Sequence, residues 1–445
     1  MARRLAVIGG DAGGMTAATQ ARRLDPSLEI VAFERTEWTS YSACGIPYVV
    51  SGEVAGVEQL VARTAQEHRD QSHIDVRMRH EVMGIDLSAG RVEVRDHIRG
   101  RTIQVPFDLL LLGMGARPIR PDLPGIDLPI VHGVQTLQDA SQLLHYAETS
   151  RCSQVVVVGG GYIGLELAEA FVARDAHVTV VEGAAHVMST LDGDMAAPIE
   201  DAMRKLGIDL RLNTKVIGFE DDAVLTRDGR IAADLVVLGI GVEPNSGLAR
   251  GAGIELGVRR SVHVDRQQRT SASNVWAAGD CAESFHLVSR RPVYIALGTV
   301  ANRHGRVAGT NIGGGYASFP GVLGTAMTRL CALEISRTGL NEREAREAAF
   351  DFAVAAIDST TSAGYFSDAP KITVKLLAER RSGRIIGAQI VGGRGAAKRI
   401  DVVAAAITAG MDAQQLVDLD FGYAPPMSSL WDPIASAARV ILSRI

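Results

Sequence analysis

At 445 residues, with 47% hydrophobic and 22% charged side chains, the chain is long enough for about three domains with sizeable cores. A formal net charge of -5 gives no general attraction to nucleic acid or an anionic membrane. No uninterrupted apolar run approaches the roughly 18 residues of a membrane span.

The opening segment Arg4–Gly14 (RLAVIGGDAGG) predicts a buried strand entering a tight glycine turn, Met15–Leu24 a helix, and Glu29–Glu34 (EIVAFE) a strand ending in an acid. Two arginines before a short apolar stretch mimic a signal peptide only faintly, because the stretch runs straight into that turn; a cytoplasmic location is expected. Gly9 and Gly14 hold the outer positions of a G-x-G-x-x-G pattern, with Asp11 in place of the middle glycine. Glu34 lies 20 residues beyond Gly14, where a carboxylate accepts from a ribose.

Cys44 follows in Tyr41–Tyr48 (YSACGIPY). At the head of a helix a thiol is shifted toward thiolate, its reactive form. Cys152, Cys281 and Cys331 are scattered without CxxC spacing, which argues against a disulfide scaffold or a zinc site. They are expected to be structural thiols.

The strand–turn–helix–strand pattern recurs about 150 residues on, as Gln154–Val158, Gly159–Gly164 (GGGYIG), Leu165–Arg174 and His177–Glu182. Here Gly159, Gly161 and Gly164 complete the fingerprint, and Glu182 follows Gly161 by 21 residues. Such glycines let the backbone approach a pyrophosphate, and the helix N-terminus supplies donors. A carboxylate at 182, with no Arg or Lys at 183–185, repels a 2′-phosphate; NADH is therefore expected over NADPH, which stays the alternative. The Pro- and Gly-rich stretches Gly113–Pro129 and Gly239–Gly247 read as crossings between two domains. Thr270–Asp280 (TSASNVWAAGD) reads as an apolar strand whose terminal acid can bind a flavin's ribityl hydroxyl. From Thr325 the texture changes to strands Phe352–Ile357, Lys371–Leu377 and Arg384–Ile390 before a helix Ala397–Ala409, an α+β unit.

In this order the motifs resemble the two-dinucleotide-binding-domain flavoproteins of the pyridine nucleotide-disulfide oxidoreductase family. The resemblance covers essentially the whole chain, and LGMGARP (Leu112–Pro118) and GIGVEPNS (Gly239–Ser246) match its domain crossings. It implies an α/β chain with two Rossmann-like domains and a C-terminal α+β dimerisation domain. The FAD domain is expected at 1–120 and 246–322, the NAD(P)H domain at 121–245 and the dimerisation domain at 323–445. It places FAD against Gly9, Gly10, Ala12, Gly13, Gly14, Glu34, Arg35, Val82, Gly115, Asp280, Gly298 and Thr299. NAD(P)H is placed against Gly159, Gly161, Ile163, Gly164, Glu182 and Gly241.

Two-cysteine members carry a second cysteine five residues after the first; Val49 stands there, so the chain resembles the single-cysteine branch. That branch comprises CoA-disulfide reductases, persulfide reductases, NADH oxidases and NADH peroxidases. The oxidases and peroxidases carry a histidine in the first glycine turn, matched here by Ala12. GYAPPMSSLWDP (Gly422–Pro433) and AGYFSD (Ala363–Asp368) resemble CoA-disulfide reductases, in which two tyrosines matching Tyr365 and Tyr423 reach the other subunit's thiol. Gln20, Arg23, Ser40 and Asn302 match CoA-contacting positions, and Trp431 is placed to line the site. Ala43 and Ser72 depart from the Asn and Lys of relatives.

The expected protein is therefore a homodimeric, metal-free enzyme that reduces a small disulfide, CoA disulfide favoured, with catalytic Cys44, Tyr365 and Tyr423. Persulfide or polysulfide reduction and NADH oxidation are the alternatives. Flavin-linked electron transfer to a protein partner is the rival from another class. Neither nucleic acid nor membrane is expected as a partner.

Overall fold

The computed structural model describes residues 3–150 and 152–445. Arg4–Ile8 and Glu29–Glu34 are apolar at successive positions because both faces of their sheet are covered, as in parallel sheets generally. That sheet is all parallel and runs in the order Val275–Ala277, Leu109–Leu112, Arg4–Ile8, Glu29–Glu34, Asp75–Met78. A second parallel sheet repeats the plan as Asp209–Arg211, His177–Val181, Gln154–Val158, Leu235–Leu238, Val131–Gly133. The two expected Rossmann-like units are both present.

In each unit the helix starts three residues before the expected position, at Ala12 and Tyr162, because the glycine turn feeds directly into it. Only Val275–Ala277 of Thr270–Asp280 is strand; the rest is turn and loop around it. The two predicted crossings meet as a two-stranded ribbon, Ala116–Pro118 antiparallel to Val242–Pro244, which joins the units at one seam. Each unit also carries a three-stranded antiparallel meander, His80–Asp86 to Arg101–Pro106 in the first and Val216–Glu220 to Gly229–Ala232 in the second.

The helix Ala12–Leu24 packs on a late helix, Gly298–Ile312, through a glycine ridge. A Cβ at Gly305 would lie 2.6 Å from the Gly13 carbonyl oxygen, and one at Gly309 only 2.3 Å from that of Ala17. The ridge draws residues about 290 positions apart in sequence to backbone contact, with Gly305 against the first glycine turn's Gly13.

The C-terminal part is a five-stranded antiparallel sheet in the order Ala326–Leu330, Leu333–Gly339, Ile385–Gly392, Lys371–Glu379, Phe352–Thr360. Helices Ile400–Ala409 and Pro433–Leu442 bury Ile400, Val403, Ile434 and Ile441 against Val374, Leu376 and Ile390. No described helix is long and apolar enough to cross a membrane.

Candidate active site

Both glycine turns are cradles that a side chain would fill. Gly9 has φ +108°, and a Cβ there would sit 2.0 Å from the Gly113 carbonyl oxygen; one at Gly14 would sit 2.0 Å from that of Gly9. The second turn repeats this with Gly159 at φ +104° and Gly164 against the Gly159 carbonyl oxygen at 2.0 Å. At Gly161 the nearest protein atom to a Cβ is 3.8 Å away, so the space above the turn is open for a ligand's approach. The acids at the second strands act alike: Gly10 N donates to Glu34 Oε2 at 2.9 Å, and Gly160 N to Glu182 Oε2 at 2.8 Å.

Asp11 does not cap the helix behind it; its Oδ1 accepts from the Tyr41 amide at 3.1 Å, tethering the cysteine segment to the first glycine turn. Burial pushes its carboxyl up to about 6, against the Tyr41 hydrogen bond and with help from Glu34. Asp280, beyond the strand Val275–Ala277, is also raised to about 6 by burial, and its Oδ1 is buried without a partner. An orphaned acceptor of this kind calls for a hydroxyl donor.

The remaining expected first-unit positions are spread over several elements. Ala12 and Gly13 open the first helix, and Gly298 and Thr299 open the late one, which has no side-chain cap. Gly115 (φ +64°) lies on the crossing, its carbonyl accepting from Asn245 N at 3.0 Å. Val82 packs with Ile8 and Phe33, while Arg35 is exposed beside Glu34. In the second unit, Ile163 packs on the core behind the turn, and Gly241 (φ +98°) lies on the other crossing.

Cys44 lies in the short turn Ala43–Gly45, which runs into the helix Ile46–Val50, and it is exposed. The expected helix head is present, but the thiol is not shifted toward thiolate by the chain itself. Desolvation by the surrounding protein raises its pKa, followed by the carboxylates of Glu166, Asp280 and Asp11. Those three groups come from both dinucleotide units, so the thiol stands at their junction. Val49, five residues on, is buried.

Glu166 was missed in the sequence. It lies on the helix Tyr162–Val172, where burial and Glu169 raise its pKa while Thr328 Oγ1 donates to it at 2.5 Å. Two acids, Glu166 and Glu169, among the apolar residues of YIGLELAEAFV were the available signal.

The expected substrate contacts split into two groups. Gln20 and Asn302 lie across the glycine-ridge helix pair: Gln20 Nε2 donates to Thr310 Oγ1 at 3.2 Å, and Thr16 Oγ1 donates to Asn302 Oδ1 at 2.7 Å. Arg23 is exposed on the same helix, with no ion pair among the described residues. Ser40 (φ +50°) sits 2.9 Å from His68 Nε2, and burial holds His68 down at about 4, hence neutral. Tyr365, Tyr423 and Trp431 lie instead on two exposed C-terminal loops joined by Ala363 N donating to the Pro425 carbonyl at 2.8 Å. Arg439 lies over the Trp431 ring, 4.7 Å from its centroid. Within one chain no hydrogen bond among the described residues links either phenol to Cys44.

Of the other thiols, Cys281 is fully buried and donates to the Leu112 carbonyl at 3.3 Å, and Cys152 is half-buried. Cys331, expected to be a packing residue, is instead exposed in a turn at φ +50°, because the hairpin between Ala326–Leu330 and Leu333–Gly339 reverses there. No cluster of metal-ligating side chains occurs among the described residues.

Two glycine cradles, each with an acid at the following strand end, and one thiol between them define a nucleotide-dependent thiol oxidoreductase with two dinucleotide sites. The chain belongs to the pyridine nucleotide-disulphide oxidoreductase family, matching its main model over residues 3–305 and its dimerisation domain over 325–433. It is 37% identical, over 99% of both chains, to the NAD(P)H sulfur oxidoreductase (CoA-dependent) of Pyrococcus furiosus. It superposes on reduced CoADR-RHD from Bacillus anthracis with a TM-score of 0.97 and 33% identity, covering 100% of this chain and 80% of that one. The NAD-dependent persulfide reductase from A. fulgidus gives 0.96 and 36%, covering 99% and 83%. The enzymes of this family bind FAD and NAD(P)H. The residues present fit both groups: the two cradles suit two pyrophosphates, and the orphaned Asp280 oxygen suits a ribityl hydroxyl.

Proposed function

We propose that the enzyme uses NADH to reduce a small disulfide, coenzyme A disulfide favoured, through the single thiol Cys44. The observation that carries this reading is the position of Cys44. It is exposed on a turn tethered to the first cradle, feels Glu166 of the second unit, and has buried Val49 where an internal disulfide would need a cysteine. In this reading the FAD domain comprises 1–120 and 246–322, the NADH domain 121–245 and the dimerisation domain 323–445.

Gly9, Gly13 and Gly14 would hold the flavin dinucleotide, with Glu34 on its ribose and Asp280 on its ribityl chain. Gly159, Gly161 and Gly164 would hold NADH, with Glu182 on its ribose. Bound FAD supplies a two-electron relay between NADH and sulfur. The Cys44 thiolate attacks one sulfur of RS–SR; the Cys44–S–SR bond forms, the old S–S bond breaks and RS⁻ leaves. Two electrons originating in NADH then cleave the mixed disulfide, returning the thiolate, and the hydrogen given up by NADH together with one proton from solvent leaves two RSH and NAD⁺ in all. Gln20, Arg23, Ser40 and Asn302 would contact the polar, anionic length of coenzyme A, a reading supported by the exposed, unpaired charge of Arg23 among the described residues.

Tyr365 and Tyr423 of a partner subunit would donate to the thiolate, with the partner's Trp431 lining the site, which makes the active unit a homodimer. Their exposure in one chain supports this, as does the match to the family's dimerisation domain.

Persulfide or polysulfide reduction is the second reading, favoured by the sulfur- and persulfide-reducing proteins similar over the whole chain. NADH oxidation ranks below it because Ala12 offers no imidazole in the first turn. Transfer to a protein acceptor has no use for Cys44.

The test is anaerobic NADH consumption with coenzyme A disulfide by wild type and Cys44→Ser, with sedimentation of the active species. Turnover is expected from a dimer, more efficiently with NADH than NADPH, and should fall to background in the variant while NADH still bleaches the flavin. Turnover that survives Cys44→Ser would overturn the proposal. Bleaching without turnover in the wild type would move the substrate to a persulfide.

A further inference from the structure

The C-terminal sheet carries a polar row where its surroundings are apolar. Arg337, Gln389 and Lys375 stand directly opposite one another on three adjacent strands, Leu333–Gly339, Ile385–Gly392 and Lys371–Glu379. All three are buried, Lys375 and Gln389 to 1% exposure. Buried polar groups of this kind are destabilising unless paired, so the identity of their partners is informative.

Glu342 and Glu344 of the same domain supply part of that pairing, and one short segment of the second dinucleotide unit supplies the rest through Thr190, Asp192 and Asp194. Lys375 Nζ is 3.0 Å from Asp192 Oδ2, 2.7 Å from Asp194 Oδ1 and 2.7 Å from Glu342 Oε1. Burial would lower the ammonium pKa, but the hydrogen bonds to Asp194, Glu342 and Asp192 outweigh it; the pKa is raised and the charge is kept. Gln389 grips Asp192 twice, its Oε1 accepting from the Asp192 amide at 2.7 Å and its Nε2 donating to Oδ2 at 2.6 Å. Arg337 Nη1 and Asn341 Nδ2 both donate to the Thr190 carbonyl, at 2.7 and 3.1 Å.

The far end of the same segment is bonded to the second glycine turn. Met188 N donates to the Gly160 carbonyl at 2.8 Å, and Val187 Cγ1 lies 2.9 Å from where a Gly160 Cβ would be. Met188 holds φ +50°, a conformation that a non-glycine residue keeps only when its neighbours impose it.

We infer that Lys375, Gln389 and Arg337 are positioning residues that set the NADH-binding turn through segment 188–192, making the dimerisation domain a fixed support for the nucleotide site. This rests on the proposed placement of NADH at Gly159–Gly164. Among the described residues, none of the row's side-chain hydrogen bonds or ion pairs reaches Cys44 or the first unit's turn, so its loss should weaken nucleotide binding without altering sulfur chemistry.

The test compares Gln389→Ala, Lys375→Met and Lys375→Arg in the flavin-loaded enzyme. The readouts are calorimetric binding of ADP-ribose, which undergoes no redox chemistry, and the split between KM and kcat. The expected result for Gln389→Ala and Lys375→Met is an ADP-ribose Kd and an NADH KM raised about five- to fiftyfold. The KM for the disulfide and kcat at saturating NADH should stay near wild type, and Lys375→Arg should restore most of the affinity. Gln389→Ala leaves the lysine with its carboxylates, so it decides the matter if Lys375→Met does not fold. Unchanged ADP-ribose affinity in folded Gln389→Ala overturns the inference. Gly161→Val is the control: if it keeps wild-type affinity for ADP-ribose, the placement of the nucleotide fails and the inference falls with it. If it loses that affinity while Gln389→Ala does not, the support role alone fails.

Discussion

Desolvation and three carboxylates raise the Cys44 thiol, so the chain alone does not prepare its nucleophile. The reactive species is the thiolate, and removing a nearby negative charge favours it. Glu166→Gln should therefore shift the pH midpoint of Cys44 alkylation by iodoacetamide downward by about half to one unit. At a fixed pH below the midpoint, alkylation becomes faster. An unmoved midpoint, or an upward shift, would show that Glu166 does not act on the thiol. Cys44 was legible because it lies in a distinctive segment after a strand ending in an acid. Its electrostatics were not, because Glu166 follows it by 122 positions and reaches it only after the two units fold together.

Among elements, the paired strands of the two glycine-turn units were read almost residue for residue, since burial on both faces leaves continuous apolar runs such as QVVVV, whereas LLLL at Leu109–Leu112 was not singled out. The helix Gly298–Ile312 was not recognised as a helix, although two of its residues were singled out as cofactor contacts and a third as a substrate contact. Its glycines weaken the helical pattern, yet they are what allow it to lie against Ala12–Leu24. Gly309→Val places a branched side chain where the Ala17 carbonyl oxygen is 2.3 Å from Cβ. It should cost about 1–3 kcal/mol or more through overpacking, read as a lower urea midpoint with an unchanged slope. Because the pair also frames the first cradle, the variant should retain less flavin on purification. A wild-type midpoint would show that the helices can separate without cost.

At the scale of the whole molecule, the duplication, the two crossings and the change of texture near Thr325 were visible along the chain because each is local in sequence. How the parts dock was not: Arg337 reaches the Thr190 carbonyl across 147 positions, and no local pattern announces a polar row inside an apolar sheet. The exposure of Tyr365, Tyr423 and Trp431 on joined loops follows the same logic, since their proposed function requires a second subunit. The central claim is that Cys44 exchanges sulfur with substrate while electrons arrive from NADH. It is tested most directly by treating the enzyme, with its flavin oxidised and Cys44 as the free thiol, with coenzyme A disulfide without nucleotide and weighing the intact and digested protein. The account predicts one coenzyme A adduct per chain, on the Cys44 peptide and released by NADH under anaerobic conditions. An adduct confined to exposed Cys331, or one on Cys44 that NADH does not release, would contradict it.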